Sequence, residues 1–320
     1  MVSPVVTKGI TRENWYLTRQ GIDTVLGEVE RCGSQFHQIM YSHMEEMKNL
    51  GKCGRGQMIK LIATDLDGTL VEEGTPNLNP EVLDTIVKLK QKGILFAAAS
   101  GRQYASMYRL FEPVADHMIF IAENGGYVVC RGRQIECRSM KREILEKLVS
   151  FMREQTDCFL LVNTPCRAYT ETRDPDFVES LRRGYKLELE ETEDVLALEE
   201  PIVKAAIYCR QDQDPVEVAR QAGELFRGEL NVMAAGAHWV DFVGTDTDKG
   251  KALESIQRLM HITKEETMAF GDNNNDIGMM LCAGESYAVA NAREEVKKAA
   301  RHLTDRNVDD GVLKILKRLL

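Results

Sequence analysis

Four short polar segments contain the residues best suited to chemistry. The first is Asp65-Leu66-Asp67-Gly68-Thr69, which directly follows an apolar run. Side chains two apart on a strand share a face, so both carboxylates are expected to point into one small volume. Two anions that close require a cation. The alternative is a turn or helix-capping role, since Asp, Gly and Thr all favour turns.

Two further segments suit phosphate. Ser100-Gly101-Arg102 ends a second apolar run, where a hydroxyl and backbone N–H groups at a helix entrance suit phosphate oxygens. Ser-Gly is also a common helix cap, so this signal alone is unspecific. Asp248-Lys249-Gly250-Lys251 opens a predicted helix, and one lysine aimed back at the carboxylates would neutralise phosphate charge. A solvated surface lysine is the alternative.

The fourth segment, Gly271 to Asp276, contains two carboxylates among asparagines. Asp272 and Asp276 are four apart, so they face the same way if a helix begins here. Oxygen-only side chains suit a hard ion such as Mg²⁺. An Asx-rich turn is the alternative interpretation.

These segments follow short apolar runs that predict buried strands. The runs are Lys60 to Thr64, Gly93 to Ala99, Met118 to Ala122 and Thr267 to Phe270. Helical periodicity predicts helices over Pro80 to Lys92 and Lys249 to Met260. Alternating strands and helices predict an α/β fold with a Rossmann-like parallel sheet and helices on both faces. Reactive groups then gather beyond the carboxyl ends of the strands.

Two regions interrupt this rhythm, and we therefore predict four segments. They are a helical N-terminal extension and linker over 1–57, a first core part over 58–139, an inserted α+β cap over 140–241 and a second core part over 242–320. Three-and-four spacing of apolar residues between Ile22 and Leu50 predicts one amphipathic helix or two in the extension. Two hypotheses remain open for the extension, an accessory arm or a physiological start at Met58. Self-association through residues 1–57 also remains open.

Composition excludes several classes of protein. The 320 residues include 41 Lys and Arg against 50 Asp and Glu, a formal charge of −9 that disfavours nucleic acid as a partner. The longest apolar runs are too short to span a membrane, and residues 1–20 lack a secretory signal pattern. The eight cysteines show no Cys-x-x-Cys pair, so zinc and disulfide scaffolds are not indicated. We expect a cytoplasmic protein without membrane contact.

In this order, each at a strand end, the four segments resemble the haloacid dehalogenase-like superfamily of aspartate-nucleophile phosphotransferases. The resemblance covers Met58 to Leu320. The insertion between Ser100 and Lys249, with Asn124-Gly125-Gly126 and the tail Asn307 to Val312, resembles the Cof-like branch with a large α/β cap. The usual members of that branch are sugar-phosphate phosphatases.

The resemblance implies a role for each matched residue. Asp65 would attack phosphorus, and Asp67 would protonate the leaving alcohol and then activate water. Phosphate oxygens would be held by Ser100, Gly101, Lys249 and Asn275. Mg²⁺ would be bound by Asp65, Asp272 and the backbone carbonyl of Asp67, with Asp276 supporting the metal or Lys249. Asp65 is expected to be ionised, since an unperturbed Asp has a pKa of about 3.9 and both Mg²⁺ and Lys249 would lie beside it.

The resemblance implies a phosphoric monoester hydrolase that depends on Mg²⁺, acts on a small phosphorylated metabolite such as a sugar phosphate, and forms an aspartyl-phosphate. A phosphomutase on the same core is one alternative. A non-catalytic protein that senses a phosphorylated metabolite or acts as a scaffold is another. Four arginines of the insertion are candidate contacts for a second anionic group of the substrate, namely Arg167, Arg173, Arg182 and Arg183.

Overall fold

The computed structural model describes residues 58–73, 75, 77–183, 187–210, 213–235 and 237–320. The predictions for residues 1–57, including the helical extension, the late start and self-association, lie outside these residues. Over the ranges just given, we find no helix with the length and apolar character needed to cross a membrane.

A parallel sheet forms the core, as predicted. Its strands are β1 (Leu61–Asp65), β2 (Leu95–Ala99), β3 (Met118–Ala122), β4 (Tyr127–Cys130), β5 (Arg133–Cys137), β12 (Thr267–Gly271), β13 (Glu285–Val289) and β14 (His302–Thr304). They lie in the order β14-β13-β12-β1-β2-β3-β4-β5. The strands from β14 to β3 pair in parallel, while β4 and β5 are antiparallel. Every residue of β1, β2, β3 and β12 is buried, so both faces of the sheet are covered.

Helices between these strands cover the core sheet. They are α1 (Pro80–Gln91), α2 (Tyr104–Phe111), α6 (Lys249–Met260), α7 (Ile277–Cys282), α8 (Glu294–Ala299) and α9 (Gly311–Lys317). The start of α1 shows why its sequence is helical, because the Asn79 side chain caps a backbone N–H and a proline occupies the first turn. Val82, Ile86 and Leu89, spaced by four and three residues, are buried in the core cluster.

A second sheet, which we call the cap sheet, is formed by residues between β5 and α6. It contains β6 (Cys158–Asn163), β7 (Ala168–Thr170), β8 (Leu189–Glu191), β9 (Lys204–Cys209), β10 (Leu230–Ala235) and β11 (Trp239–Gly244), with α3 (Arg142–Glu154), α4 (Pro175–Arg183) and α5 (Pro215–Leu225). Its order is β10-β11-β9-β6-β7-β8. Val162 and Ile207 pack with residues of α3 and α5, whereas Leu161 and Ala206 pack with residues of α4. Helices therefore pack against both faces of the cap sheet.

The course of β11 bears on where the inserted segment ends. This strand continues to Gly244, so the predicted boundary between residues 241 and 242 falls inside it. The four-segment division remains a prediction, and we propose Gly244 as the end of the insertion.

The arginines considered for a second anionic group pair with carboxylates of the insertion. The pairs are Arg167–Glu190, Arg173–Glu193, Arg182–Glu191 and Arg183–Glu179. Three of these glutamates belong to the acidic stretch over residues 187–200. The stretch is therefore a surface of ion pairs.

Candidate active site

Asp65 and Lys249 lie at the buried centre of the candidate site. Asp65 is the last residue of β1 and is 5% exposed, while Lys249 is the first residue of α6 and is 1% exposed. Lys249 Nζ donates to Asp65 Oδ1 at 2.5 Å and to Asp276 Oδ1 at 2.7 Å. Lys251, the other lysine of this segment, is exposed and donates to the carbonyl of Thr245. The structure thus places Lys249, and not Lys251, beside the carboxylates.

Glycines allow the starts of α6 and α7 to approach each other closely. A Cβ atom on Gly250 would lie 2.5 Å from the backbone of Gly278, closer than any real side chain tolerates. The side chain of Asp248 caps α6 by accepting from the N–H of Lys251 at 2.8 Å. Together these features put Lys249 in the first turn of α6, within reach of Asp276.

Asp272 completes a group of three carboxylates. One oxygen each from Asp65, Asp272 and Asp276 lie within 4.8 Å of one another. Thr69 Oγ1 donates to Asp272 Oδ1 at 2.7 Å, and a Cβ atom on Gly68, where φ is +81°, would lie 2.6 Å from Asp272 Oδ2. Gly68 and Thr69 of the first segment therefore hold the side chain of Asp272 beside Asp65.

The donor set fits a hard divalent cation. Within the described part of the chain, Asp65 Oδ2 is buried without a hydrogen-bond partner. A buried, unpaired carboxylate oxygen is costly unless a cation or a proton satisfies it. Carboxylate oxygens are the ligands that Mg²⁺ prefers.

The electrostatics of the site reflect an excess of carboxylates. Burial, followed by the charge of Asp276, raises the pKa of Asp65 well above its usual range, and Lys249 only partly opposes this. Burial also raises the pKa of Asp272. Burial alone would lower the pKa of Lys249, but Asp276 and then Asp65 raise it, so the lysine remains charged. The ionised Asp65 expected from the sequence therefore stays a prediction that depends on the divalent cation, whose charge would lower that pKa.

The two carboxylates of the fourth segment meet for a reason other than helical spacing. Residues Asn274–Asp276 form a short 3-10 turn, and α7 begins only at Ile277, so Asp272 precedes any helix. Asp276 is fully buried, and its Oδ2 accepts from the N–H groups of Asp272 and Asn273, each at 3.0 Å. A capping box, and not the four-residue period, places Asp276 against Asp272.

The carboxylate of Asp67 is paired with the guanidinium of Arg102 in this structure. The carboxylate accepts from Arg102 Nε at 2.8 Å and from Arg102 Nη2. The prediction that both carboxylates point into one volume stays a prediction, and its premise of strand alternation does not hold, because β1 ends at Asp65. The sequence did not lead us to predict the contact between Arg102 and Asp67. A signal was present, because a guanidinium readily pairs with a carboxylate and Arg102 lies in the Ser100 segment.

The remaining predicted residues lie together at the ends of β2, β3 and β12. Ser100 is 2% exposed, and its Oγ accepts from the N–H of Arg102 at 3.1 Å, which leaves its own hydroxyl hydrogen to donate elsewhere. Gly101 packs against Asn124, whose Oδ1 would lie 3.2 Å from a Cβ atom at position 101. Asn275 Nδ2 donates to the same Asn124 Oδ1 at 3.0 Å. The segments after three different strands thus meet at one point.

Known proteins are similar to this chain over most of its length. A family model described as haloacid dehalogenase-like hydrolase matches residues 62–316. The 5-amino-6-(5-phospho-D-ribitylamino)uracil phosphatase YbjI of Escherichia coli strain K12 is 28% identical over 262 residues, which cover 82% of this chain and 96% of that protein. Phosphatase YwpJ of Bacillus subtilis strain 168 is 26% identical over 293 residues, which cover 82% and 100%.

A solved structure from Eubacterium rectale has a similar fold. It is 33% identical, superposes with a TM-score of 0.76, and the match covers 83% of this chain and 100% of that one. These matches confirm the family resemblance and the expectation of an enzyme. With a family model spanning most of its length and named phosphatases among its relatives, this chain belongs to the haloacid dehalogenase-like hydrolases.

Proposed function

We propose that this protein is a divalent-ion-dependent phosphatase that hydrolyses a small phosphorylated metabolite through an aspartyl-phosphate on Asp65. One observation supports this proposal above the others. Asp65 is buried, with one carboxylate oxygen bonded to Lys249 and the other without a hydrogen-bond partner among the described residues. A nucleophilic carboxylate must be oriented and ionised, and here Lys249 orients one oxygen while a divalent ion at the other would keep the group ionised.

In the first half-reaction, an oxygen of Asp65 attacks phosphorus and the bond from phosphorus to the leaving oxygen breaks. Asp67 donates a proton to that leaving alcohol. In the second half-reaction, water attacks the phosphorus of the aspartyl-phosphate while Asp67 accepts its proton. Inorganic phosphate leaves and the carboxylate of Asp65 is restored. Because Asp67 is bonded to Arg102, its acid role requires that the carboxyl group leave Arg102 when substrate binds.

Lys249 and the Ser100 segment would bind the phosphate oxygens. The ammonium group of Lys249 bonds Asp65 at 2.5 Å, so it would also lie beside a phosphoryl group attached to Asp65 and neutralise its charge. The free hydrogen of the Ser100 hydroxyl, the backbone of Gly101 and the amide of Asn275 would supply neutral hydrogen bonds. Neutral donors add orientation without adding further charge.

Asp65 and Asp272 are the side chains we assign as direct ligands of Mg²⁺, with the backbone carbonyl of Asp67. Both oxygens of Asp276 are engaged, one by Lys249 and one by two backbone N–H groups. We therefore assign Asp276 to support Lys249 and the loop that bears Asp272. A bound divalent ion would supply positive charge that offsets the negative charge of the transferring phosphoryl group.

A phosphate-release screen tests the proposed reaction. The panel contains sugar phosphates, nucleotides, flavin and pyridoxal phosphates, and 5-amino-6-(5-phospho-D-ribitylamino)uracil, the compound named in the relative YbjI. Each is assayed with Mg²⁺ and with a chelator. We expect phosphate release that requires the ion. Stoichiometric conversion of a sugar phosphate to its isomer without phosphate release would instead indicate a phosphomutase.

The nucleophile is tested by Asp65→Asn. This change removes the attacking carboxylate but no core volume, so turnover should be abolished while the far-ultraviolet circular dichroism spectrum is retained. Asp84→Asn, the same change on the exposed side of α1, is the matched control and should keep wild-type turnover. Turnover retained by Asp65→Asn would refute the mechanism.

A further inference from the structure

A second cluster of buried charges lies where the cap sheet meets the core sheet. It consists of Glu123 from the turn after β3, and of Asn163, Lys204 and Asp241 from β6, β9 and β11. Glu123 is 1% exposed, Asn163 5%, and Lys204 and Asp241 8% each. We call these four residues the core–cap cluster. The mechanism described above uses none of them.

The register of the cap sheet places the three cap residues on one face. Asn163 lies directly opposite Lys204 in the antiparallel pair of β6 and β9. Asp241 lies opposite Ala206, which is two residues from Lys204 and therefore points to the same side. Cross-strand neighbours of this kind are close enough for their side chains to interact.

Lys204 joins the two sheets. Its Nζ lies 2.9 Å from Asp241 Oδ2 within the cap sheet and 3.8 Å from Glu123 Oε2 of the core. Asn163 Nδ2 donates to both carboxylate oxygens of Glu123, each at 3.0 Å. Burial alone would lower the pKa of Lys204, but Asp241 and then Glu123 raise it above its usual value, so the lysine is charged.

The third contact of Lys204 reaches the proposed phosphate-binding segment. Its Nζ donates to the backbone carbonyl of Gly101 at 3.2 Å. The N–H on the other side of the same peptide group, that of Arg102, donates to Ser100 Oγ at 3.1 Å. Both ends of the Gly101–Arg102 peptide group are therefore fixed, one end by a residue of the cap sheet.

The turn that bears Glu123 is attached to the same segment. The N–H of Glu123 donates to the carbonyl of Arg102 at 3.1 Å, and the N–H of Asn124 donates to the carbonyl of Ser100 at 3.0 Å. Lys204 therefore contacts residues 100–102 directly through Gly101 and indirectly through Glu123. A buried ammonium is costly to desolvate, and apolar residues of similar volume often replace a buried ion pair without loss of stability. Stability alone does not account for a lysine at this position.

We propose that Lys204 is a positioning residue for phosphate binding, which orients the Gly101 peptide group from the cap sheet and so couples the placement of the cap to the phosphate-binding segment. This inference rests on the proposed function, because it assumes that residues 100–101 contact phosphate. It assigns to a cap residue an effect on the phosphate end of the substrate. Lys204 acts through Gly101 and does not itself contact the phosphoryl group.

The test compares Lys204→Met, Lys204→Arg and the control Arg153→Met. Arg153 is also a cation of the insertion shared by two carboxylates, Glu171 and Asp194, but both partners belong to the insertion. The readouts are the inhibition constant of inorganic phosphate against p-nitrophenyl phosphate, kcat, KM and the urea midpoint of unfolding. We expect Lys204→Met to weaken phosphate inhibition by about 10- to 100-fold, because small misplacements of binding groups have effects of this size.

Lys204→Arg should recover most of that loss, since it retains a cation that can donate to the carbonyl of Gly101. Arg153→Met should leave phosphate inhibition within about twofold of the wild type, because its two carboxylate partners lie within the insertion. A Lys204→Met protein with a lowered midpoint but unchanged phosphate inhibition would overturn the positioning role. If that variant does not fold, Lys204→Met combined with Asp241→Asn removes the cation with its nearest carboxylate, and the same readouts decide.

The two proposals fail in different ways. Turnover retained by Asp65→Asn would refute the proposed function whatever Lys204 does. An inactive Asp65→Asn together with wild-type phosphate inhibition in the folded Lys204 variant would refute only the positioning role.

Discussion

Replacing Glu123 with Gln is expected to remove a pH-dependent loss of stability. Burial raises the pKa of Glu123 from 4.5 to about 7, although Lys204 and the hydrogen bond from Asn163 oppose the rise. Between these two pH values the folded protein binds more protons at this group than the unfolded chain does. The stability of the wild type therefore falls as pH rises through this window.

The magnitude follows from the two pKa values. Each pKa unit corresponds to about 1.4 kcal/mol. The rise from 4.5 to about 7 therefore corresponds to about 3.5 kcal/mol of unfolding free energy, which the wild type loses when Glu123 ionises. Gln cannot ionise, and its amide oxygen can still accept from Asn163. Lys204 keeps Asp241 as its partner at 2.9 Å, so no buried cation is left unpaired.

The measurement is the free energy of urea unfolding for both proteins from below pH 4.5 to above pH 7. The difference in unfolding free energy, Glu123→Gln minus wild type, should rise by about 3.5 kcal/mol across the window. Lys204, Asp241 and all other titratable groups are present in both proteins, so the difference isolates position 123. Glu73→Gln, a change at an exposed glutamate, is the control and should give a flat difference. A flat difference for Glu123→Gln as well would refute the reasoning.

Two further substitutions test the site. Lys249→Met should destabilise the protein by about 3–5 kcal/mol, because it leaves Asp65 and Asp276 buried without their cation. Mg²⁺ should restore part of that loss. Equal urea midpoints for the variant and the wild type would contradict this prediction. Thr69→Val removes the hydrogen bond at 2.7 Å to Asp272 and should raise the Mg²⁺ concentration for half-maximal activity by about 10- to 100-fold, whereas Thr69→Ser keeps the hydroxyl and should not. An unchanged Mg²⁺ requirement in Thr69→Val would contradict the role of Thr69.

The positions of the site segments could be predicted because local pattern and topology agree there. A short apolar run that stops at polar residues predicted β3 (Met118–Ala122), and helical periodicity predicted α6 (Lys249–Met260), both with the boundaries that the structure has. Parallel strands bring their carboxyl ends to one edge of the sheet, so separate segments could be expected to converge. This prediction used only the positions of the segments along the chain, and it did not depend on which side chains contact each other.

The partners of individual side chains could not be predicted in this way. Asp67 and Asp65 differ by two residues, yet one binds Arg102 and the other Lys249, because the strand ends between them. The strands β7 and β8 contain three residues each, which is too short for an alternating pattern to be recognised. Elements of this size form because their neighbours in the cap sheet pair with them.

Lys204 gave a signal that the sequence analysis did not use. It lies within the run Val203-Lys204-Ala205-Ala206, and a lysine in an otherwise apolar strand is rarely buried without a paired carboxylate. The sequence could therefore have indicated a buried ion pair at this position. It could not have identified the partner, because Glu123 is 81 residues away and is contributed by the other sheet.

The two buried lysines show how an excess of carboxylates can be resolved in two ways. Lys204 lies between Asp241 and Glu123, and the surplus negative charge is removed by a proton, because burial raises the pKa of Glu123 to about 7. Lys249 also serves two carboxylates, but its group contains a third, and Asp65 retains an oxygen without a partner among the described residues. A proton there would block the nucleophile, whereas a divalent cation would satisfy the same oxygens and leave Asp65 ionised. Two clusters of similar composition are thus suited to different tasks, one to joining the sheets and the other to binding an ion and a phosphoryl group.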